Sequence, residues 1–268
     1  LLGCVVIVLG YFLARPFGLE KEMALFLAVA PHPVVYSVQL SSYIYLILLG
    51  LIHAYLFFVA KKHPRARMVI AGILAGLGFL FHYIFLAYIA AFVVYLLFSK
   101  ENRGKIGYYL AGVAPFFLIN LPTFIAQRQF NHFNDIFAFN IMSTLVTLAA
   151  IPHFTYSPIL VAITLLTLWY IFKNKHKLDE RIRTIMIPSA LFLAFVFVSA
   201  LLMIAGFIPR YIIVVQPLLF LILFHVLQKN LSPKYYHLVS MIYFVILGLT
   251  TLYIATRFAE LGWIPLYY

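Results

Sequence analysis

The chain of 268 residues is 65% hydrophobic and 18% aromatic, with only 10% charged residues and a formal charge of +12. Soluble domains carry about 25% charged and about 45–50% apolar residues, so too few charges are present to coat a globule of this size, and soluble, disordered, collagen-like and coiled-coil classes are excluded. At about 20 apolar residues per crossing the chain can supply eight or more transmembrane helices, and its continuous, non-alternating apolar runs exclude a porin-like barrel.

In chain order the apolar runs are Leu1 to Ala14, Met23 to about Tyr36, Leu40 to Ala60, Met68 to Phe98, Ile106 to Ala126, Ile136 to Ile151, Ser157 to Phe172, Thr184 to Phe207, Tyr211 to Leu227 and Tyr235 to Thr256. The first residue is not Met, and no basic segment or cleavage site precedes the first run, so the chain reads as cut at its N-terminus. Met68 to Phe98 is too long for one untilted span of a hydrocarbon core of about 30 Å. It forms either a hairpin turning near Phe81-His82-Tyr83 or one long tilted helix.

The basic residues decide between these. If Met68 to Phe98 crosses twice and Ile136 to Ile151 does not cross, sixteen of the nineteen Lys and Arg residues fall on one side. They lie in the turns at Arg15–Lys21, Lys61–Arg67, Lys100–Lys105, Lys173–Arg183 and Lys229–Lys234, leaving Arg128, Arg210 and Arg257 opposite. Basic residues collect in cytoplasmic loops, so this arrangement fixes the orientation. The expected fold is an all-α, polytopic transmembrane helical bundle of about ten crossings, with Ile136 to Ile151 as a short outer re-entrant or interfacial helix. The excess charge is then topological and implies anionic membrane lipids as neighbours, with no nucleic acid as partner. No repeat or low-complexity linker divides residues 1–268, which read as a single domain.

Proline marks the outer ends of spans at Pro31, Pro33, Pro122, Pro152, Pro158 and Pro209. The outer face also collects His32, His82, Gln127, Arg128, Asn131, His132, Asn134, Asp135, His153, Arg210, Arg257 and Glu260, so the site is expected there. Arg210 lies between two apolar runs in Pro-Arg-Tyr-Ile-Ile. Its guanidinium either holds a substrate phosphate or anchors the chain at the interface with Tyr211 as belt aromatic. His82 and His32 either contact substrate or move a proton, or are interfacial residues. His132 and Asp135 stand three apart with His153 nearby; a divalent cation there is the one metal reading open, although the spacing matches no metal signature. Asp135 and Glu260 are the outward carboxylates, and Asp135 also reads as a solvated loop residue. His53 and His225 lie well inside apolar runs and are expected to be satisfied by helix neighbours. Gly72, Gly76 and Gly78 have the small-residue spacing of close helix packing. The chain has no Gly-x-x-x-x-Gly-Lys, no Gly-x-Ser-x-Gly and no His-Glu-x-x-His.

Three stretches carry a family resemblance: Ala-Pro-His-Pro-Val-Val-Tyr-Ser at 30–37, Ala-Gly-Ile-Leu-Ala-Gly-Leu-Gly-Phe-Leu-Phe-His at 71–82, and Pro-Arg-Tyr-Ile-Ile-Val-Val-Gln-Pro at 209–217. In this order they resemble the membrane glycosyltransferases of the GT-C superfamily, in particular family 39 and the dolichyl-phosphate-mannose protein mannosyltransferase-like group, with a further likeness to the lipid A aminoarabinose transferases. The family's second stretch commonly ends in Leu-Thr-Lys where this chain has Leu-Phe-His, so the lysine role falls to His82 or is absent. The resemblance implies an integral, multi-pass protein of the cell (plasma) membrane. It would move a sugar from a polyprenyl-phosphate carrier to a hydroxyl of a protein, lipid or glycan on the extracytoplasmic face. It implies that the catalytic carboxylate lies in a first outer loop upstream of Leu1, together with a missing N-terminal span, that Arg210 holds the donor phosphate, and that His82 lines the same cavity. A lipid-linked sugar flippase or transporter, and a non-catalytic assembly subunit, are the competing classes; only His53 and His225 are ionisable in mid-span, which disfavours ion-coupled transport.

Overall fold

The computed structural model describes residues 1–30, 33–34, 42–130, 169–170, 173, 179–201 and 213–261. Among these residues the chain is helical and contains no strand. The helices are α1 (Leu2–Ala14), α2 (Glu20–Val29), α3 (Ser42–Ala54), α4 (Pro64–Phe81), α5 (Ile84–Phe98), α6 (Ile106–Phe130), α7 (Glu180–Leu201), α8 (Gln216–Asn230) and α9 (Pro233–Leu261). Backbone groups in hydrocarbon must be satisfied within the segment that carries them, so apolar runs of this length become helices. Three segments have the length and composition of a full crossing on their own: Pro64–Phe81, Arg103–Thr123 and Pro233–Tyr253. Leu2–Phe17, Tyr43–Val59 and Ile84–Phe98 are shorter apolar helices.

The run from Met68 to Phe98 is a hairpin. α4 ends at Phe81, His82 is extended (φ −163°, ψ 132°), and α5 opens at Ile84. α6 then runs parallel to α4, with Gly72 against Tyr109 and Gly112, Gly76 against Phe116, and the ring of Phe79 stacked 5.8 Å from that of Phe117. A Cβ on Gly72 would overlap the Tyr109 carbonyl, and one on Gly112 would overlap the Val69 carbonyl and stand 2.8 Å from Ile73 N. The glycines therefore set the distance between the helices, as their spacing predicts. α5 packs against α7, with the Tyr88 ring 6.0 Å from that of Phe192.

The basic turns that fall within the described residues gather at one end of the bundle. The turn at Arg15–Gly18, which needs glycine at its left-handed residue (Gly18, φ 68°), receives Arg181 Nη1 on Pro16 O (3.4 Å) and Gln228 Nε2 on Gly18 O (3.4 Å). One turn further, Tyr236 Oη donates to Glu22 Oε1 (3.0 Å). Beside α4 and α6, the Arg65 guanidinium lies 5.7 Å over the Tyr108 ring, which joins the Lys61–Arg67 and Lys100–Lys105 turns.

The described residues refine three expectations. The run from Met23 to Tyr36 is not one helix: α2 stops at Val29 and Ala30 turns extended (φ −68°, ψ 139°), because a residue before proline is pushed out of the helical region. Pro122 stands at the end of the apolar span Arg103–Thr123, as expected, although α6 itself continues past it to Phe130. Finally, of His53 and His225, only His53 is satisfied by a helix neighbour. His53 Nδ1 pairs with Tyr88 Oη of α5 (3.1 Å), while both ring nitrogens of His225 are buried without a hydrogen-bond partner. The proposed outer helix at Ile136 to Ile151 lies outside the described residues.

Candidate functional site

At the end of the bundle opposite the basic turns, the hairpin tip presents His82. Its imidazole is half-buried and tied on both nitrogens. Nδ1 accepts the Ile84 amide (3.1 Å), one of the orphan amides that open α5, in the way Asx side chains accept from two residues on. Nδ1 is thus the unprotonated nitrogen of the neutral ring, and Nε2–H faces Tyr43 Oη at 3.3 Å. The Tyr43 ring lies 5.5 Å from that of His82, and Tyr45 stacks on Phe81 at 5.5 Å and 7°. Phe81 and Tyr83 on either side of the histidine are 49% and 45% exposed, the placement of an aromatic belt at the membrane surface. Asn120 Nδ2 of α6 caps the Phe79 carbonyl at the end of α4 (3.4 Å).

His82 is thus a turn residue as well as a polar group at the hairpin tip. Its neighbour Tyr43 carries no motif and was not singled out in the sequence; the available signal was a tyrosine pair, Tyr43 and Tyr45, opening an apolar run. His82→Ala is expected to lower thermal stability by about 1 kcal/mol through loss of the cap. His82→Asn, whose amide oxygen can accept from Ile84 N–H, is expected to recover most of it. Unfolding in detergent, followed by fluorescence-detected size exclusion, checks the order wild type, Asn, Ala. Equal loss in the two variants would remove the capping role.

Of the other residues singled out, His32, His132, Asp135, His153, Arg210 and Tyr211 lie outside the described residues. Gln127 and Arg128 fall on the last turn of α6, and Arg257 and Glu260 on the last turns of α9. The end of the bundle at which α6 and α9 finish is the one that carries the His82 hairpin.

Apolar helices, one basic end and an aromatic, histidine-bearing opposite end define a helical membrane protein. Within that class, residues 1–125 match the family described as dolichyl-phosphate-mannose-protein mannosyltransferase, which bears out the GT-C mannosyltransferase-like resemblance over that stretch. The match covers α1 through most of α6, including the His32 segment, the glycine stripe and His82. No curated protein and no solved structure matches the chain. A membrane glycosyltransferase of this general kind is what the match implies.

Proposed function

We propose that the chain is an integral membrane glycosyltransferase that moves a sugar from a polyprenyl-phosphate carrier to an acceptor hydroxyl on the extracytoplasmic side. The observation that carries this reading is the family match over residues 1–125 on a helical membrane bundle. The gathering of basic turns at one end supports a cytoplasmic assignment for that end, and with it an outward His82 hairpin in a bundle of about ten crossings. In this reading the acceptor oxygen forms a bond to the anomeric carbon as the carbon–oxygen bond to the lipid phosphate breaks. The acceptor proton passes to a base on the outer face, and the phosphate leaves on its lipid with Arg210 stabilising its charge. Tyr211, His82, His32, His132 and Asp135 are the other candidates for lining that site. A protein acceptor is the one most in keeping with the matched family.

The test is sugar transfer in vesicles holding the full-length protein, with a radiolabelled sugar on a polyprenyl-phosphate donor. Label recovered on acceptor is the expected result. Label that crosses the bilayer without changing its chemical attachment would instead identify a flippase, and label that does neither would leave an assembly subunit.

A further inference from the structure

Positive charge is spread unevenly over the basic end of the bundle. Around the Arg15–Gly18 turn it is answered: Glu20 and Glu22 flank Lys21, Asp179 and Glu180 precede Arg181, and Arg181, Gln228 and Tyr236 bond to Pro16, Gly18 and Glu22. The turns that open α4 and α6 are different. Residues 61–67 and 100–105 hold seven Lys and Arg residues and a single carboxylate, Glu101. Lys61, Lys62, Arg65, Lys100 and Arg103 are exposed. Because α4 and α6 run parallel, both turns lie at the same end of neighbouring helices, joined where the Arg65 guanidinium lies 5.7 Å over the Tyr108 ring. The positive dipole ends of the two helices add to the same field.

We propose that this edge binds the headgroup of an anionic phospholipid, whose acyl chains lie along the outer face of α6. Pro64–Phe81 and Arg103–Thr123 each have the length and composition of a crossing, so both basic turns stand where a spanning helix meets the headgroup layer. Basic clusters between helices at that level take acidic lipid headgroups. The second turn is already shaped for this: Ser99 O accepts the amides of Asn102 (3.1 Å) and Arg103 (2.9 Å), and Lys105 Nζ donates to Asn102 Oδ1 (2.6 Å). Space beside it is open, since a Cβ on Gly104 or Gly107 would meet no atom within 4 Å. Apolar surface continues from the cations, with Phe98 83%, Leu110 43% and Leu118 65% exposed. A soluble acidic partner would match the charge and leave that apolar face unused, whereas a phospholipid matches both. Arg65 is the group best suited to the phosphate, because a guanidinium can offer two parallel N–H donors while its face rests on an aromatic ring. The site lies at the opposite end of the bundle from the His82 hairpin and is independent of sugar transfer.

The probe is phosphatidylglycerol, titrated onto the full-length protein in neutral detergent and counted by native mass spectrometry. It is expected to bind more tightly than phosphatidylcholine with the same chains. Arg65→Gln combined with Arg103→Gln should weaken it about 25-fold, or about fivefold for each charge removed. Lys229→Gln combined with Lys234→Gln removes as many charges at the turn between α8 and α9 and should leave binding nearly unchanged. Equal loss in the two pairs would show diffuse attraction to the whole basic end and overturn the site, as would equal binding of the two lipids. Glycerol phosphate, which carries the phosphate without the chains, should not compete; competition would make a free anion the ligand and overturn the lipid assignment. If the arginine pair does not fold, Lys61→Gln combined with Lys62→Gln, both outside the helices, carries the same expectation.

Discussion

Replacing Arg210 with alanine is expected to lower sugar transfer about 100-fold or more while the protein remains folded in the membrane. Loss of a single donor that stabilises developing charge in a water-poor site costs about that factor. Arg210 sits in Phe-Ile-Pro-Arg-Tyr, at a junction of two apolar runs with almost no loop. A permanent cation there requires a partner, and the phosphate of a lipid-linked donor supplies one. Arg210→Lys should recover only part of the activity, since an ammonium replaces a planar fork by a point charge. The same vesicle assay reads both variants, with membrane-extracted protein profiled for folding. Transfer at wild-type rates in Arg210→Ala would remove the phosphate role and return the residue to interfacial anchoring.

The largest effect on stability is expected at the contact between α4 and α6. Gly112→Leu should abolish recovery of folded protein, and Gly112→Ala should cost about 1–3 kcal/mol as the helices part. The atoms that a side chain at 112 would meet are backbone: the Val69 carbonyl, Ile73 N and Gly72 C, the last at 3.0 Å. None of these can swing aside as a side-chain tip could. Gly107→Ala, on the same helix but facing open space, is the control and should match or slightly exceed wild type, since alanine is the better helix former. Unfolding midpoints in one detergent compare the three; a Gly112→Leu protein as stable as wild type would show that the helices do not approach so closely.

Much of this architecture is legible in the amino-acid sequence where a physical limit is crossed. A run from Met68 to Phe98 exceeds the thickness of hydrocarbon, so it must turn or tilt; the distribution of basic residues selects a turn, and His82 lies near the middle of the run. The basic residues lie in short turns between apolar runs, and the hydrogen bonds from Arg181 and Gln228 to the Arg15–Gly18 turn join three of those turns. The glycine stripe announces a close packing face but not its partner, because nothing in the spacing of Gly72 and Gly76 selects α6 over any other helix. His53 is harder still. Its partners Tyr88 and Tyr109 come from two further helices, so their meeting leaves no periodic trace in the sequence. The break after α2 was readable from Pro31, and was obscured by the continuous apolar character on both sides of it. His82 was legible as a position and not as a bond, since its acceptance of the Ile84 amide depends on an extended residue between two helices.

The parallel pairing of α4 and α6 has a consequence for how the protein is made. Parallel neighbours cannot be joined directly; the chain must first return along α5 before α6 can lie beside α4. During synthesis the α4–α5 hairpin therefore forms with the faces of Gly72 and Gly76 still uncovered. The α4–α6 contact forms only after Gly112 has left the ribosome. A nascent chain halted within α5 would hold all the residues of the hairpin and none of the packing that fixes its place.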